Sequence, residues 1–102
     1  MKKDRVLSAR QEVAAEDRLF RAILTLCTLD DGRAFFHDLC TPAELQALKD
    51  RWAVVEMLAE GRLTYRQIHE QTGVSITTIG RVARYLTGGE GGYARALQRI
   101  GK

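Results

Sequence analysis

The chain has 102 residues, which allows one small domain, or half of an intertwined pair, and excludes a large buried core. Apolar residues make up 45% of it and the formal net charge is +3, so we expect a soluble protein and no membrane-spanning segment. Two cysteines are too few for a disulfide framework, and no segment resembles a secretory signal. The sequence therefore predicts a cytoplasmic location.

Charge is distributed unevenly along the chain. Residues 1–12 carry four basic and two acidic groups, and residues 13–63 carry six and nine. Residues 64–86 and 87–102 each carry three basic groups and one acidic group. Positive charge at both ends of an acidic middle favours a polyanionic partner that meets one face of the protein.

The first part of the chain predicts a flexible arm and then a long helix. Residues 1–11 have little apolar periodicity and four basic residues, so we expect a flexible basic arm there and a single domain over residues 12–102. A helix is predicted from Glu12 to about Leu29, with apolar side chains on more than one stripe. Such a helix has to be buried on two sides, and a second copy of the protein is the simplest source of the second side.

A turn and a short helix are predicted next. Asp30 or Asp31 can cap a helix that ends near Cys40. Cys27, His37 and Cys40 have the side-chain types of metal ligands, but a zinc site prefers four well-spaced ligands. Buried thiols and an ordinary histidine are therefore the favoured interpretation, and we expect neither a metal nor a cofactor.

The clearest helix start in the sequence is at Thr41. This threonine stands at the capping position, Pro42 follows at the first helical position, and Glu44 completes a capping box. Apolar residues then recur at helical spacing as far as Gly61. The pattern predicts a central helix of about 19 residues, ~28 Å long at 1.5 Å per residue.

The rest of the chain is organised around residues 64–86, called here the reading head. Thr64 can cap a first helix that ends at Gly73, and Ser75 can cap a second. The residues expected to point inwards are Ile68, Val74, Ile79 and Val82, and those expected at or near the surface are Arg66, Thr77, Thr78, Gly80, Arg81 and Arg84. This is a helix-turn-helix pattern with a basic second helix, which is typical of binding in the major groove of DNA. Plain packing of two helices is the alternative, since His69 stands where many such units have a small residue.

Glycines interrupt the chain beyond the reading head. Residues 87–92 contain four glycines, which predicts a break in the helix. Tyr93, Leu97 and Ile100 then have the spacing of a short amphipathic helix. No segment alternates with a period of two, so we predict an all-α fold of about six helices.

Three consecutive motifs between Leu39 and Leu86, namely LCTPAELQAL, RWAVVEMLAEG and TYRQIHEQTGVSITTIGRV, cover about half of the chain. This sequence resembles the Trp repressor family and, within it, the YerC/YecD-type branch. The resemblance implies an intertwined, all-helical homodimer whose two reading heads enter successive major grooves of a pseudo-palindromic site in double-stranded DNA. The two half-sites are then expected about 34 Å apart.

The resemblance also assigns DNA contacts, matched position by position. The positions expected to face bases, directly or through water, are Arg66, Ile76, Thr77 and Gly80. The positions expected nearer the phosphates are Tyr65, His69, Thr78, Arg84 and Thr87.

The founding member of the family binds tryptophan between its central helix and its reading head, and this sequence matches that pocket incompletely. The pocket positions are Thr41, Arg51, Thr78, Arg81, Val82 and Tyr85. The first four agree in type, whereas Val82 and Tyr85 replace a glycine and a serine and would fill the volume that the indole needs. We therefore expect no response to tryptophan. The two arginines then pair with carboxylates such as Glu44 or Glu56, or bind a different small molecule.

The leading hypothesis is a homodimeric transcriptional regulator, such as a repressor, that binds DNA sequence-specifically. The alternative is a helical protein-interaction module that keeps the fold without reading DNA. An enzyme is not expected, because the sequence has no paired carboxylates, no nucleophile with a base and no phosphate-binding loop at useful spacing.

Overall fold

A computed structural model describes residues 6–101 and contains six helices in that range. They are α1 Ala9–Ile23, α2 Leu29–Leu39, α3 Pro42–Glu60, α4 Tyr65–Thr72, α5 Ile76–Gly88 and α6 Gly92–Ile100. Residues 6–101 contain no strand, so the all-α prediction is confirmed. None of these helices is both long enough and apolar enough to cross a membrane.

The first helix begins earlier than predicted, at Ala9 instead of Glu12. Ser8 is its cap: the hydroxyl oxygen accepts a hydrogen bond from the backbone N–H of Gln11 at 3.2 Å, and the Gln11 side chain accepts one from the Ser8 N–H at 2.8 Å. Residues 9–11 of the expected flexible arm are therefore helical, because Ser8 and Gln11 form a complete capping box. Residues 1–5 of that arm lie outside the part of the chain that the structure describes.

The first helix also ends earlier than predicted, at Ile23 instead of about Leu29, which is the first residue of α2. Thr28 caps α2, since its hydroxyl oxygen accepts a hydrogen bond from the backbone N–H of Asp31 at 3.0 Å. The expectation that Asp30 or Asp31 supplies the cap is wrong. Both aspartates lie inside the first turn, where their charge complements the helix dipole.

Residues 6–40 and 41–101 form two compact units, which are described separately. The first unit comprises α1 and α2, and neither helix contains a buried residue. Several of its large apolar side chains are exposed, to 82% at both Leu24 and Leu29 and to 52% at Phe20, while Phe35 and Phe36 are half-buried. Within this unit the apolar pattern of the sequence thus forms helices but no core.

The second unit, α3 to α6, contains a core of five buried side chains: Val54, Val55, Ile68, Ile79 and Val82. They come from α3, α4 and α5, so buried apolar side chains fix the reading head to the central helix, and the burial of each side chain contributes about 1.5–3 kcal/mol. The inward positions predicted for Ile68, Ile79 and Val82 are confirmed, and Val74 is half-buried against the same core.

Local capping sets the ends of the central helix as predicted. The Thr41 hydroxyl accepts a hydrogen bond from the Glu44 N–H at 3.1 Å, and the Glu44 carboxylate accepts one from the Thr41 N–H at 2.8 Å. The helix has 19 residues and ends at Gly61. Nearer the C-terminus, α5 continues to Gly88, so the predicted break at Thr87 begins two residues too early.

Candidate nucleic-acid interface

The helix-turn-helix is formed by α4 and α5, each with its own cap. The Thr64 hydroxyl accepts a hydrogen bond from the Gln67 N–H at 3.1 Å, and the Gln67 side chain accepts one from the Thr64 N–H at 2.8 Å. Gly73 ends α4 with a φ of 77°, which glycine adopts without the steric cost of a Cβ. The Ser75 hydroxyl then accepts a hydrogen bond from the Thr78 N–H at 3.1 Å and starts α5.

His69 spans the turn between the two helices. Its Nδ1 lies 2.7 Å from the carbonyl oxygen of Val74, so the Nδ1–H donates a hydrogen bond across the turn. The Thr72 hydroxyl donates to the Ile68 carbonyl at 2.8 Å and accepts from the Val74 N–H at 3.0 Å. The imidazole is exposed and does not separate the two helices, so the large residue at this position is compatible with a close turn.

With 3.6 residues per turn, the side chains of α5 fall on three faces. The inward face carries the buried or half-buried Ile79, Val82 and Leu86. The outward face carries Ile76, Thr77, Gly80, Arg84 and Thr87, of which Gly80 is half-buried and the others are exposed. The remaining side face carries Thr78, Arg81 and Tyr85.

The DNA contacts predicted on α4 are Tyr65, Arg66 and His69, and all three side chains are exposed. Arg66 is 87% exposed, and its Nε lies 3.9 Å from a carboxylate oxygen of Glu70. An exposed pair at that distance is weak, so the guanidinium is available to another anion. All nine residues predicted to contact DNA therefore lie in α4 or α5, exposed or half-buried.

A cavity of about 480 Å³ adjoins the side face of α5. It is lined by Arg51, Arg81, Val82, Tyr85, Glu90, Gly92 and Tyr93. Four of the six residues predicted for an effector pocket are thus brought together. The other two have local roles instead: Thr41 caps α3, and the Thr78 hydroxyl accepts a hydrogen bond from the Ser75 hydroxyl at 3.0 Å.

The two arginines of this cavity are not neutralised in the way predicted. The guanidinium carbon of Arg81 lies 4.7 Å from the centroid of the Tyr85 ring, a cation–π contact. Among the ion pairs within residues 6–101, neither Glu44 nor Glu56 is a partner of Arg51 or Arg81.

The cavity wall includes three residues that the sequence analysis did not assign to a pocket. Glu90, Gly92 and Tyr93 belong to or follow the glycine-rich break and reach the cavity because α6 packs back against α5. Val82 belongs to the core and Tyr85 stacks on Arg81, so the expected filling of the volume is incomplete. The sequence signal that could have pointed to this wall is Glu90, the one acidic residue within the glycine-rich residues 87–92.

Gly89 lies directly against Tyr85. A Cβ at position 89 would stand 2.8 Å from the Tyr85 carbonyl oxygen and 2.9 Å from its ring Cδ1. Contacts this short require the backbone or the ring to move. The absence of a side chain at Gly89 therefore permits the observed placement of the Tyr85 ring.

Cys27, His37 and Cys40 do not form a metal-binding group. Within residues 6–101 no three histidine, cysteine, aspartate or glutamate side chains lie together in a way that would hold a metal ion. Cys40 is half-buried, but Cys27 is exposed, so the expectation of two buried thiols is wrong for Cys27. This residue lies in the turn between α1 and α2, where its thiol donates to the Thr25 carbonyl at 3.4 Å.

These features define a small all-α protein that carries a capped helix-turn-helix on an apolar core. A profile of the Trp repressor protein family matches residues 14–101, most of the chain. The protein belongs to the Trp repressor family, whose members are regulators of transcription.

Known relatives support the same assignment. YerC of Bacillus subtilis is 46% identical over 84 residues, which cover 82% of this chain and 80% of YerC. A Trp operon repressor homolog of Chlamydia trachomatis serovar L2 is 33% identical over 88 residues, which cover 82% of this chain and 94% of that protein. The crystal structure of a TrpR-like protein from Eubacterium eligens superposes with a TM-score of 0.81 and 44% identity, over 92% of this chain and 96% of that one.

Proposed function

We propose that this protein is a cytoplasmic, sequence-specific DNA-binding transcriptional regulator that acts as a homodimer on a pseudo-palindromic operator. The observation that carries the proposal is the outward face of α5, which combines small, hydroxyl-bearing and basic residues on a helix fixed to a buried core. A helix with such a face can approach base edges closely while its arginines reach phosphate or guanine.

The proposed contacts fall into two groups. Arg66, Ile76, Thr77 and Gly80 face the bases, and Tyr65, His69, Thr78, Arg84 and Thr87 lie nearer the phosphates. The net charge of the reading head, with three basic groups and one acidic group, suits this division. The hydrogen bond from His69 to Val74 supports the DNA-binding proposal, because a turn that is already ordered reduces the conformational entropy lost on binding.

The homodimer is supported by the exposed apolar side chains of the first unit. Leu24, Leu29 and Phe20 are large, and side chains of this kind gain about 1.5–3 kcal/mol each when removed from water. A second copy of the chain offers the same surface in return, as two-fold symmetry requires. The two reading heads of such a dimer would then bind half-sites about 34 Å apart.

Tryptophan is not the proposed effector. Tyr85 already occupies one face of the Arg81 guanidinium, and the branched Val82 stands in the cavity wall. An indole would have to share the cavity with the Tyr85 ring, which already covers that face. We expect no heat of binding when L-tryptophan is titrated calorimetrically; binding at micromolar concentration would contradict this part of the proposal.

Selection of binding sites from a random pool of duplexes tests the main proposal. We expect the selected sequences to contain a palindrome, and we expect the double variant Arg66→Ala/Arg84→Ala to bind them more weakly. The slope of log affinity against log salt should become shallower by roughly 0.9 for each phosphate group that the variant no longer neutralises.

The matched control removes the same charge elsewhere, with Arg33→Ala and Arg99→Ala, both exposed side chains outside the reading head. If the reading-head variant binds as tightly as the parent, the assignment of the DNA contacts is wrong. If the parent binds no duplex even at low salt, the protein-interaction module becomes the better description.

A further inference from the structure

We propose that α5 recognises thymine by its 5-methyl group, with Ile76 as the apolar contact and Gly80 leaving room for the base edge. This inference rests on the proposed function, because it requires the outward face of α5 to lie in the major groove. It goes further by naming the base and the chemical group that this face would distinguish.

Ile76 is an apolar side chain with no part in the core. It is the first residue of α5 and remains 47% exposed. Its neighbour Val74 and the more distal Leu86 are packed against the core, whereas Ile76 is not among the side chains that pack there. A single exposed isoleucine is common on protein surfaces. What distinguishes Ile76 is its position at the start of the helix that would enter the groove.

Gly80 provides open space next to Ile76. It lies one turn further along the same face of α5, and a Cβ built there would meet nothing within 4 Å. Glycine in the middle of a helix is destabilising, and no neighbour in the second unit requires it here. The two residues together form an apolar surface in which the exposed Ile76 lies beside open space at the half-buried Gly80.

The hydroxyl groups near the start of α5 are already engaged. The Ser75 hydroxyl donates to the Thr78 hydroxyl at 3.0 Å and accepts from the Thr78 N–H at 3.1 Å. The Thr78 hydroxyl takes part only as an acceptor, and Thr77, whose hydroxyl makes no hydrogen bond within the described residues, also presents a methyl group. In the major groove thymine is the base that displays a methyl group, while the other three display polar groups alone. An apolar surface therefore selects thymine.

Charge complementarity identifies duplex DNA as the occupant of this surface. Arg66 on α4 and Arg84 on the outward face of α5 are both exposed cations. They would bind the phosphate or guanine groups on either side of the thymine. A purely apolar protein partner would leave both guanidinium groups without a counterpart.

Replacement of thymine by uracil tests the inference, because it removes the methyl group and leaves every hydrogen-bonding group in place. Each thymine of the selected operator half-site is replaced in turn, and the dissociation constant is measured by fluorescence anisotropy. For at least one position in each half-site we expect about fourfold weaker binding, the effect of one methyl group no longer buried.

Variants at position 76 connect that loss to Ile76. With Ile76→Ala, thymine and uracil operators should bind with equal affinity, and with Ile76→Val the preference for thymine should persist. Ile100→Ala removes an exposed isoleucine from α6, 68% exposed against 47% for Ile76, and should leave the preference unchanged. Circular dichroism checks that each variant keeps its helices.

Two outcomes would overturn the inference while leaving the proposed function intact. One is tight operator binding that uracil does not weaken at any position. The other is a uracil effect of the same size in the parent and in Ile76→Ala. If no duplex binds to the parent, the proposed function fails, and the thymine contact fails with it.

Discussion

The two units of this chain differ in how far their apolar residues are buried. In residues 41–101, three helices meet around five buried side chains, whereas α1 and α2 in residues 6–40 bury none, although both carry leucine and phenylalanine. Helical periodicity predicts which side chains need burial. It does not predict whether the side chains that cover them come from the same chain or from a second copy. The contrast explains why the second unit presents the candidate DNA-binding surface and the first unit is the proposed site of dimerisation.

The largest expected effect is in the core of the second unit. Ile79→Ala removes a fully buried side chain and should lower the free energy of unfolding by about 2–5 kcal/mol in urea titrations. Ile100→Ala is the control, because that side chain is 68% exposed, and it should change stability far less. Equal losses in the two variants would show that the difference in burial between these positions does not govern stability.

A charge placed in the first unit should act on association instead. Phe20→Asp puts a carboxylate on the apolar surface proposed to be shared by two copies, and we expect the dimer to dissociate about tenfold more readily, or more, in sedimentation equilibrium. Gln98→Asp adds the same charge to an exposed position of α6. A dimer that withstands Phe20→Asp as well as Gln98→Asp would place the interface elsewhere.

The stability of the second unit is expected to depend on the left-handed backbone conformation of Gly73, in the turn between α4 and α5. Gly73→Ala forces an alanine into a left-handed conformation, with an expected loss of about 1–2 kcal/mol in thermal or urea unfolding. Gly88→Ala introduces the same methyl group at a position with open space and no positive φ. The two variants should differ by most of that amount, and equal stability would argue against a strained turn.

The smallest expected effect concerns the hydrogen bond across the same turn. His69→Ala removes the donor to the Val74 carbonyl and should cost about 0.5–1.5 kcal/mol of unfolding free energy. His37→Ala, at an exposed position of the first unit, is the matched control. If both histidine variants are as stable as the parent, the contact observed at Val74 contributes nothing to the turn.

The sequence predicted the second unit better than the first for a physical reason. Thr41, Thr64 and Ser75 each cap a helix that ends or begins at a glycine or proline, so local signals and apolar periodicity agree. In the first unit they disagree. The apolar run continues to Leu29 and suggested one long helix, while the cap at Thr28 divides it.

For the candidate site, the sequence predicted the DNA-facing positions but not all of the residues that line the cavity. The DNA-facing positions came from a family pattern, and the exposure of α5 is compatible with them, while the contacts themselves stay a prediction. Glu90 and Tyr93 could not be assigned to the cavity, because their place depends on how α6 packs back after the break. Periodicity within one helix does not predict how that helix packs against another.

Gly89 limits how this family member can diverge. Substitution at the neighbouring Gly88 or Gly92 meets open space, so mutations there can accumulate and be tolerated. Any residue with a side chain at position 89 collides with Tyr85 and, through that ring, disturbs its stacking partner Arg81. The shortest of these contacts is with the backbone carbonyl of residue 85, which no substitution of Tyr85 removes, so glycine should be retained at position 89 whichever residue occupies position 85.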